Sequence, residues 1–120
     1  MPFECIYTCE RVSLDAHGIT LHAITPLFQR GSAAAVIYCR LTRMPFDSQV
    51  RYRLQLTRVV GGGSFTILNS EERLLSLPSR LYPKQIVYAF APPGGLQVGY
   101  YGVTIDLNNG ERAETEFMVI

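Results

Sequence analysis

The sequence has no tryptophan, a single lysine and no apolar run long enough to cross a bilayer as a helix. Its longest unbroken apolar run, Ala33 to Cys39, is seven residues, where a spanning helix needs about 20. The opening Met1-Pro2-Phe3-Glu4-Cys5 lacks the basic head and apolar core of a signal peptide. The three cysteines are an odd number without paired spacing, which speaks against a disulfide framework. These absences together point to a reducing, cytoplasmic setting. Repeats, linkers and low-complexity tracts are missing too. No strand-to-helix unit appears, which removes the folds that place nucleotides at such turns. The net charge of +1 gives no global pull toward nucleic acid or a membrane surface.

What is present suits one globular domain over residues 1–120. Hydrophobic residues make up 48% and charged residues 18%, which argues against disorder. A chain of this size buries roughly two-thirds of its unfolded surface, so it needs no metal or disulfide to fold. Gly, Pro, Asn and Asp recur about every ten residues between short β-rich runs, the rhythm of a sandwich or barrel. The expected fold is an all-β antiparallel sandwich of about seven to nine strands.

Local patterns place the strands. Residues 3–24 read as a hairpin around Asp15-Ala16-His17-Gly18, with Thr25 to Ser32 as a loop. Ala33 to Arg43 reads as a central apolar strand. Val50 to Val59 alternates cleanly: Val50, Tyr52, Leu54 and Leu56 face one way, Arg51, Arg53, Gln55 and Thr57 the other. Gly61-Gly62-Gly63 ends it as a flexible connection. Ser64 to Leu68 is a short strand. Asn69 to Leu77 fits a strand or a capped helix, with strand favoured. Lys84 to Ala91 is a strand, and Pro92-Pro93-Gly94-Gly95 stops it. Gln97 to Leu107 pairs with Glu111 to Ile120 across Asn108-Asn109-Gly110, where Asn-Gly predicts a type I′ turn. The sequence stops at Ile120 inside that strand, and such an edge would invite β-augmentation or self-association.

Few residues gather into recognisable chemistry. Cys5 and Cys9 share a strand face but lie about 13 Å apart on a regular strand, too far for a disulfide or a shared metal. His17 falls in a turn and His22 on a solvent-facing side, with no Gly-x-Ser-x-Gly elbow and no histidine pair at metal spacing. The triple glycine opens a strand rather than a helix, so it is no phosphate cradle. No catalytic residue, metal or cofactor is expected.

The arginines stand out. Ten of the eleven basic residues are arginine. Six of them, Arg30, Arg40, Arg43, Arg51, Arg53 and Arg58, fall in residues 30–58 with Asp47 as the only acid, a local charge of +5. A hairpin of 33–43 with 50–59 would set Leu41 opposite Tyr52 and Cys39 opposite Leu54, keeping the apolar faces together. It would also set Arg40 opposite Arg53, an unfavourable pairing that needs carboxylates such as Glu114 and Glu116, or an acidic partner. In Tyr100-Tyr101 one ring must lie outside, and an exposed Tyr100 is an interface candidate. Arg40, Arg51, Arg53 and Tyr100 are therefore the candidate partner-binding residues.

The opening Cys9-Glu10-Arg11-Val12-x-x-Asp15-x-x-Gly18-x-x-x-His22-x-Ile24 resembles that of an uncharacterised family of small bacterial proteins. Their pattern begins C-E-x-V-x-x-D-x-x-G and ends with a P-G-x-Y-like strand and a final hairpin. The stretch from Pro93-Gly94 to Tyr101, and onward to Val119, is similar, although Gly94 and Tyr100 are further apart than in that pattern. The resemblance implies an immunoglobulin-like or C2-like sandwich and carries no activity, cofactor or site residue. The expected function is a non-enzymatic protein-interaction or assembly module, with a protein partner or self-association. Alternatives are a small-ligand or carbohydrate-binding sandwich, which the lack of tryptophan weakens, and a binder of an anionic partner through an arginine-rich face. An enzyme would require His17 or His22 to meet a nucleophile in a pocket.

Overall fold

A computed structural model of the chain describes residues 3–15, 18–41, 50–69, 73–75, 84–108 and 110–120. The strands are β1 (Phe3–Asp15), β2 (Gly18–Ile24), β3 (Leu27–Phe28), β4 (Ala35–Leu41), β5 (Val50–Val60), β6 (Gly63–Asn69), β7 (Arg73–Leu75), β8 (Lys84–Phe90), β9 (Gly99–Leu107) and β10 (Arg112–Val119). No helix occurs among the described residues, so none is long and apolar enough to cross a membrane. A four-stranded sheet runs β2-β1-β4-β8. A six-stranded sheet runs β3-β10-β9-β5-β6, with β7 also paired to β5. All pairings are antiparallel except the short parallel one of β3 with β10. The result is an all-β sandwich.

Alternation builds the core. Tyr101, Val103, Ile105 and Leu107 of β9 are buried, as are Ala113, Phe117 and Val119 of β10 and Leu54 and Leu56 of β5. Ala35, Ile37, Cys39 and Leu41 of β4 meet them from the other sheet. Tyr101 and Phe117 are direct cross-strand partners and their rings stack at 4.7 Å. Phe28 packs edge-on against Phe117 at 5.4 Å, and Phe90 of β8 lies 5.9 Å from Tyr101. The aromatic string thus links the two layers, and such pairs add about 0.5–1.5 kcal/mol each beyond area burial. The Tyr101 hydroxyl, its polar tip, donates to the Gln97 carbonyl at 2.7 Å.

Several expectations are corrected. Strands β4 and β5 do not form a hairpin. Strand β4 lies between β1 and β8, while β5 pairs with β6, β7 and β9, so the chain changes sheets between them. Their apolar faces meet across the sandwich rather than side by side. Leu41 opposes Phe3 and Lys84 instead of Tyr52, and Cys39 opposes Ile6 and Ile86 instead of Leu54. The turn chemistry is exchanged as well. Gly61 and Gly62 take φ of +59° and +80° between the paired Val60 and Gly63, the two positive values a type I′ hairpin requires. At Asn108-Asn109-Gly110, Asn108 is not in the left-handed region and Gly110 has φ +90°. Its N–H donates to the Leu107 carbonyl at 3.1 Å, and the Leu107 N–H donates to Glu111 at 2.8 Å. That is a three-residue connection closed by a left-handed glycine rather than a type I′ turn.

The C-terminal strand is not a bare edge either. The segment expected as a plain loop after β2 contributes β3, which lies along the end of β10. The Ile120 N–H donates to the Phe28 carbonyl at 3.0 Å, and the Met118 N–H donates to the Pro26 carbonyl at 2.8 Å. The chain reaches that position by leaving the first sheet after Ile24, which still pairs with Cys9; Ala23, just before it, takes φ +56°. The 69–77 ambiguity resolves as strand at Asn69 and at Arg73–Leu75. His17 and Arg43 lie outside the described residues.

Candidate functional site

The four candidate residues separate onto two faces. Alternation along β4 turns Arg40 outward on the four-stranded sheet, where it opposes Cys5 of β1 and Gln85 of β8. Arg51, Arg53 and Tyr100 lie on the outer face of the six-stranded sheet. The expected opposition of Arg40 and Arg53 is therefore absent, because they occupy opposite sides of the sandwich.

Arg53 instead opposes Asp106 of β9. Asp106 is also held from β10 by Arg112, whose Nε lies 2.6 Å from its Oδ1, with Glu114 3.8 Å from the same guanidinium. Compensation for the β5 arginines thus begins at Asp106, one strand nearer than the glutamates the sequence pointed to. Arg58 is turned inward: its Nη1 donates to Gln97 Oε1 at 3.0 Å, its Nε and Nη2 donate to the Val98 carbonyl, and its guanidinium sits 6.0 Å over the Tyr101 ring. The charges of Arg40, Arg51, Arg53 and Arg58 are consequently spread over two faces and an inner edge.

Tyr100 belongs to a different constellation. Hydrogen-bond register sets it between Val59 of β5 and Met118 of β10, and Met118 in turn beside Leu27 of β3. All four side chains are exposed: Val59 41%, Tyr100 39%, Met118 42% and Leu27 49%. They form one apolar row across four adjacent strands. The Tyr100 hydroxyl hydrogen-bonds to the Glu116 carboxylate, which raises the phenol's pKa. Next along the strands Gly102 leaves a side-chain gap. A shallow groove of about 480 Å³ lies there, bordered by Glu114, Thr104 and Glu116. Arg53 is six residues from Val59 along β5, so the row and the Arg53–Asp106–Arg112 ladder stand roughly 20 Å apart on one face. Sequence reasoning found Tyr100 but missed Leu27, Val59 and Met118. Val59 and Met118 were apolar residues at outward positions of well-defined strands, and that signal was available.

The remaining candidate groups are placed as follows. His22 Nε2 lies 2.7 Å from Ser13 Oγ on the exposed side of the β1–β2 arm. Cys9 and Cys39 are buried, and burial with the neighbouring Cys5 pushes the Cys39 thiol up to about 12. None of the three cysteines is in a disulfide. No group of three metal-ligating side chains converges among the described residues. A second concavity, of about 480 Å³, opens on the four-stranded sheet beside Arg40. No protein-family model matches the chain, and no curated protein matches it in sequence.

Proposed function

We propose that the domain is a non-enzymatic protein-interaction module, and that its docking surface is the outer face of the six-stranded sheet. The observation that carries this is the Leu27–Met118–Tyr100–Val59 row. Four exposed apolar side chains in continuous register make a contiguous patch, unlike scattered surface hydrophobes, which need no explanation. Tyr and Met are enriched at the centre of interfaces, and polar residues form the rim. Glu116, Glu114 and the Arg53–Asp106–Arg112 ladder supply that rim. The partner surface that fits is a protein strip with an apolar centre and a basic residue facing Glu116. Three cysteines outside any disulfide suit a reducing compartment, so we assign the module to the cytoplasm.

The anionic-partner alternative loses its main premise, since Arg40 and Arg53 do not share a face. Capture experiments from the native host test the docking face. A Tyr100→Glu/Met118→Lys variant should lose a partner that wild type and an Arg11→Ala variant both retain. Light scattering on wild type and variant identifies a second copy as that partner if the wild type alone is larger than a monomer. Identical capture and identical mass for all three proteins would sink the proposal.

A further inference from the structure

The two ends of the six-stranded sheet are finished differently. Strand β3, two residues long, lies along β10, and so short a strand guards an edge against further pairing. At the other end β6 (Gly63–Asn69) pairs with β5, and no second strand flanks it among the described residues. Ser64, Phe65, Thr66 and Ile67 are each exposed, so the run is open on both faces. Strand β6 also contains no Lys, Arg, Asp, Glu or Pro, the residues that commonly protect an edge.

Phe65 is the unusual member of this edge. It opposes Arg58 of β5, and Arg58 opposes the core residue Tyr101 of β9. Cross-strand partners share a face, so Phe65 lies on the core side of the sheet, yet it is 58% exposed. Its ring lies back over Gly63, where a Cβ would stand 3.3 Å from two ring carbons. Val60, opposite Gly63, is exposed as well. Ile67, also exposed, is the extra residue of a bulge: Thr66 opposes Thr57 and Leu68 opposes Leu56. The regular run open to further pairing is therefore residues 63–67.

That run matches a copy of itself. Antiparallel pairing about a twofold axis through Phe65 sets Phe65 against Phe65 of the second copy, Ser64 against its Thr66 and Gly63 against its Ile67. Aromatic and hydroxyl pairs of this kind are favourable across strands. Ile67 of the second copy faces the glycine over which the Phe65 ring lies. No charge meets its like, because the run carries none. A twofold pair also uses up the edge that forms it, so the assembly closes at two copies. The join is continuous with the proposed docking face, since Val59, the end of the Tyr100 row, pairs with Ser64. The axis stands perpendicular to the sheet, so both rows come to lie on the same outer side. With about five residues per copy, far below the roughly 20–30 of a standard interface, the association is weak and reversible.

We propose that β6 is a self-association edge: two copies of this chain pair antiparallel through residues 63–67 about a twofold axis at Phe65. The contact uses the edge of the sheet and the docking row uses its face, so either proposal stands or fails without the other.

Sedimentation equilibrium of the full chain from about 10 µM to about 1 mM, the range of a weak transient complex, should show a reversible monomer–dimer equilibrium. Phe65→Lys sets two like charges against each other at the axis and should abolish it. Tyr100→Glu/Met118→Lys should retain it. Cross-linking reads the register. Directly opposed residues have Cα atoms about 4.5–5.5 Å apart, within reach of a disulfide, while residues displaced by two lie about 7–8 Å apart, at its limit. An equimolar mixture of Ser64→Cys and Thr66→Cys chains, oxidised with copper phenanthroline, should therefore give several-fold more cross-linked dimer than either chain alone. Mass spectrometry identifies the linkage between positions 64 and 66, and wild type treated alike measures any background from the native cysteines. Ser64, Phe65 and Thr66 are exposed, so these variants fold. A wild type that stays monomeric to about 1 mM overturns the proposal, and so does equal cross-linking of the mixture and the single chains. Association that Phe65→Lys keeps and Tyr100→Glu/Met118→Lys loses overturns it too, because the copies would then meet through the docking row.

Discussion

Cys39 is a small hydrophobe in the core whose ionisation the fold opposes. Its thiol is pushed up to about 12 from an ordinary 9.0, because a thiolate there would be stripped of water and set near Cys5. The folded value lies above the unfolded one. The neutral thiol's contribution is therefore fully present below pH 9 and is lost as pH rises from about 9 toward 12. Each unit of displacement is about 1.4 kcal/mol. Between pH 7.5 and pH 10 the wild type should thus lose about 1 kcal/mol more stability than Cys39→Val, measured by urea unfolding at both values. Equal losses would show that Cys39 is not held neutral by the fold. Burial of this residue was legible in the sequence, since Cys39 alternates with Ala35, Ile37 and Leu41. Its approach to Cys5 was not, because the β1–β4 pairing joins residues more than thirty positions apart.

At the scale of elements, loops proved less readable than strands. Pro92-Pro93-Gly94-Gly95 was legible as a stop, but its partner was not. The structure zips it to the loop after β3: the Gly31 N–H donates to the Leu96 carbonyl at 2.9 Å, and the Leu96 N–H donates to Ser32 at 2.8 Å. Leu96, 1% exposed, then plugs the end of the core. Gly95 sits at the closest approach, with φ +89°, and a Cβ there would fall 2.7 Å from the Gly31 carbonyl oxygen. Gly95→Ala meets both a left-handed backbone and a backbone clash. It should cost at least about 2 kcal/mol, the sum of the strain and overpacking effects. Gly94→Ala shares the positive φ but has open space around it, so it should cost less. Thermal unfolding of the two variants separates the clash from the strain. The hairpins were legible because strand alternation and turn residues are local signals. Even there the turn types were exchanged, since residue identity permits positive φ without showing which glycine the register puts in it.

At the scale of the whole molecule, the sequence reading failed where neighbours had to be chosen. Alternation states which side chains share a face; it does not state which strand lies alongside. Strands β4 and β5 both present an apolar face, and a hairpin or a crossing between layers buries those faces equally well. The choice between them moved Arg40 away from Arg53 and placed Asp106 opposite Arg53 instead. Double-mutant cycles read this topology in solution. Arg40→Ala and Arg53→Ala should be additive within about 0.5 kcal/mol, as distant sites without shared partners are. Arg53→Ala and Asp106→Asn should couple favourably by about 0.2–1 kcal/mol, the range for exposed opposite charges facing across strands. Repulsion between Arg40 and Arg53 would appear as a negative coupling, each single substitution relieving the other, and would restore the hairpin. Additivity there has a functional corollary: it leaves Arg40 on the sheet away from the Tyr100 row, so Arg40→Ala should retain the protein docking that Tyr100→Glu/Met118→Lys abolishes.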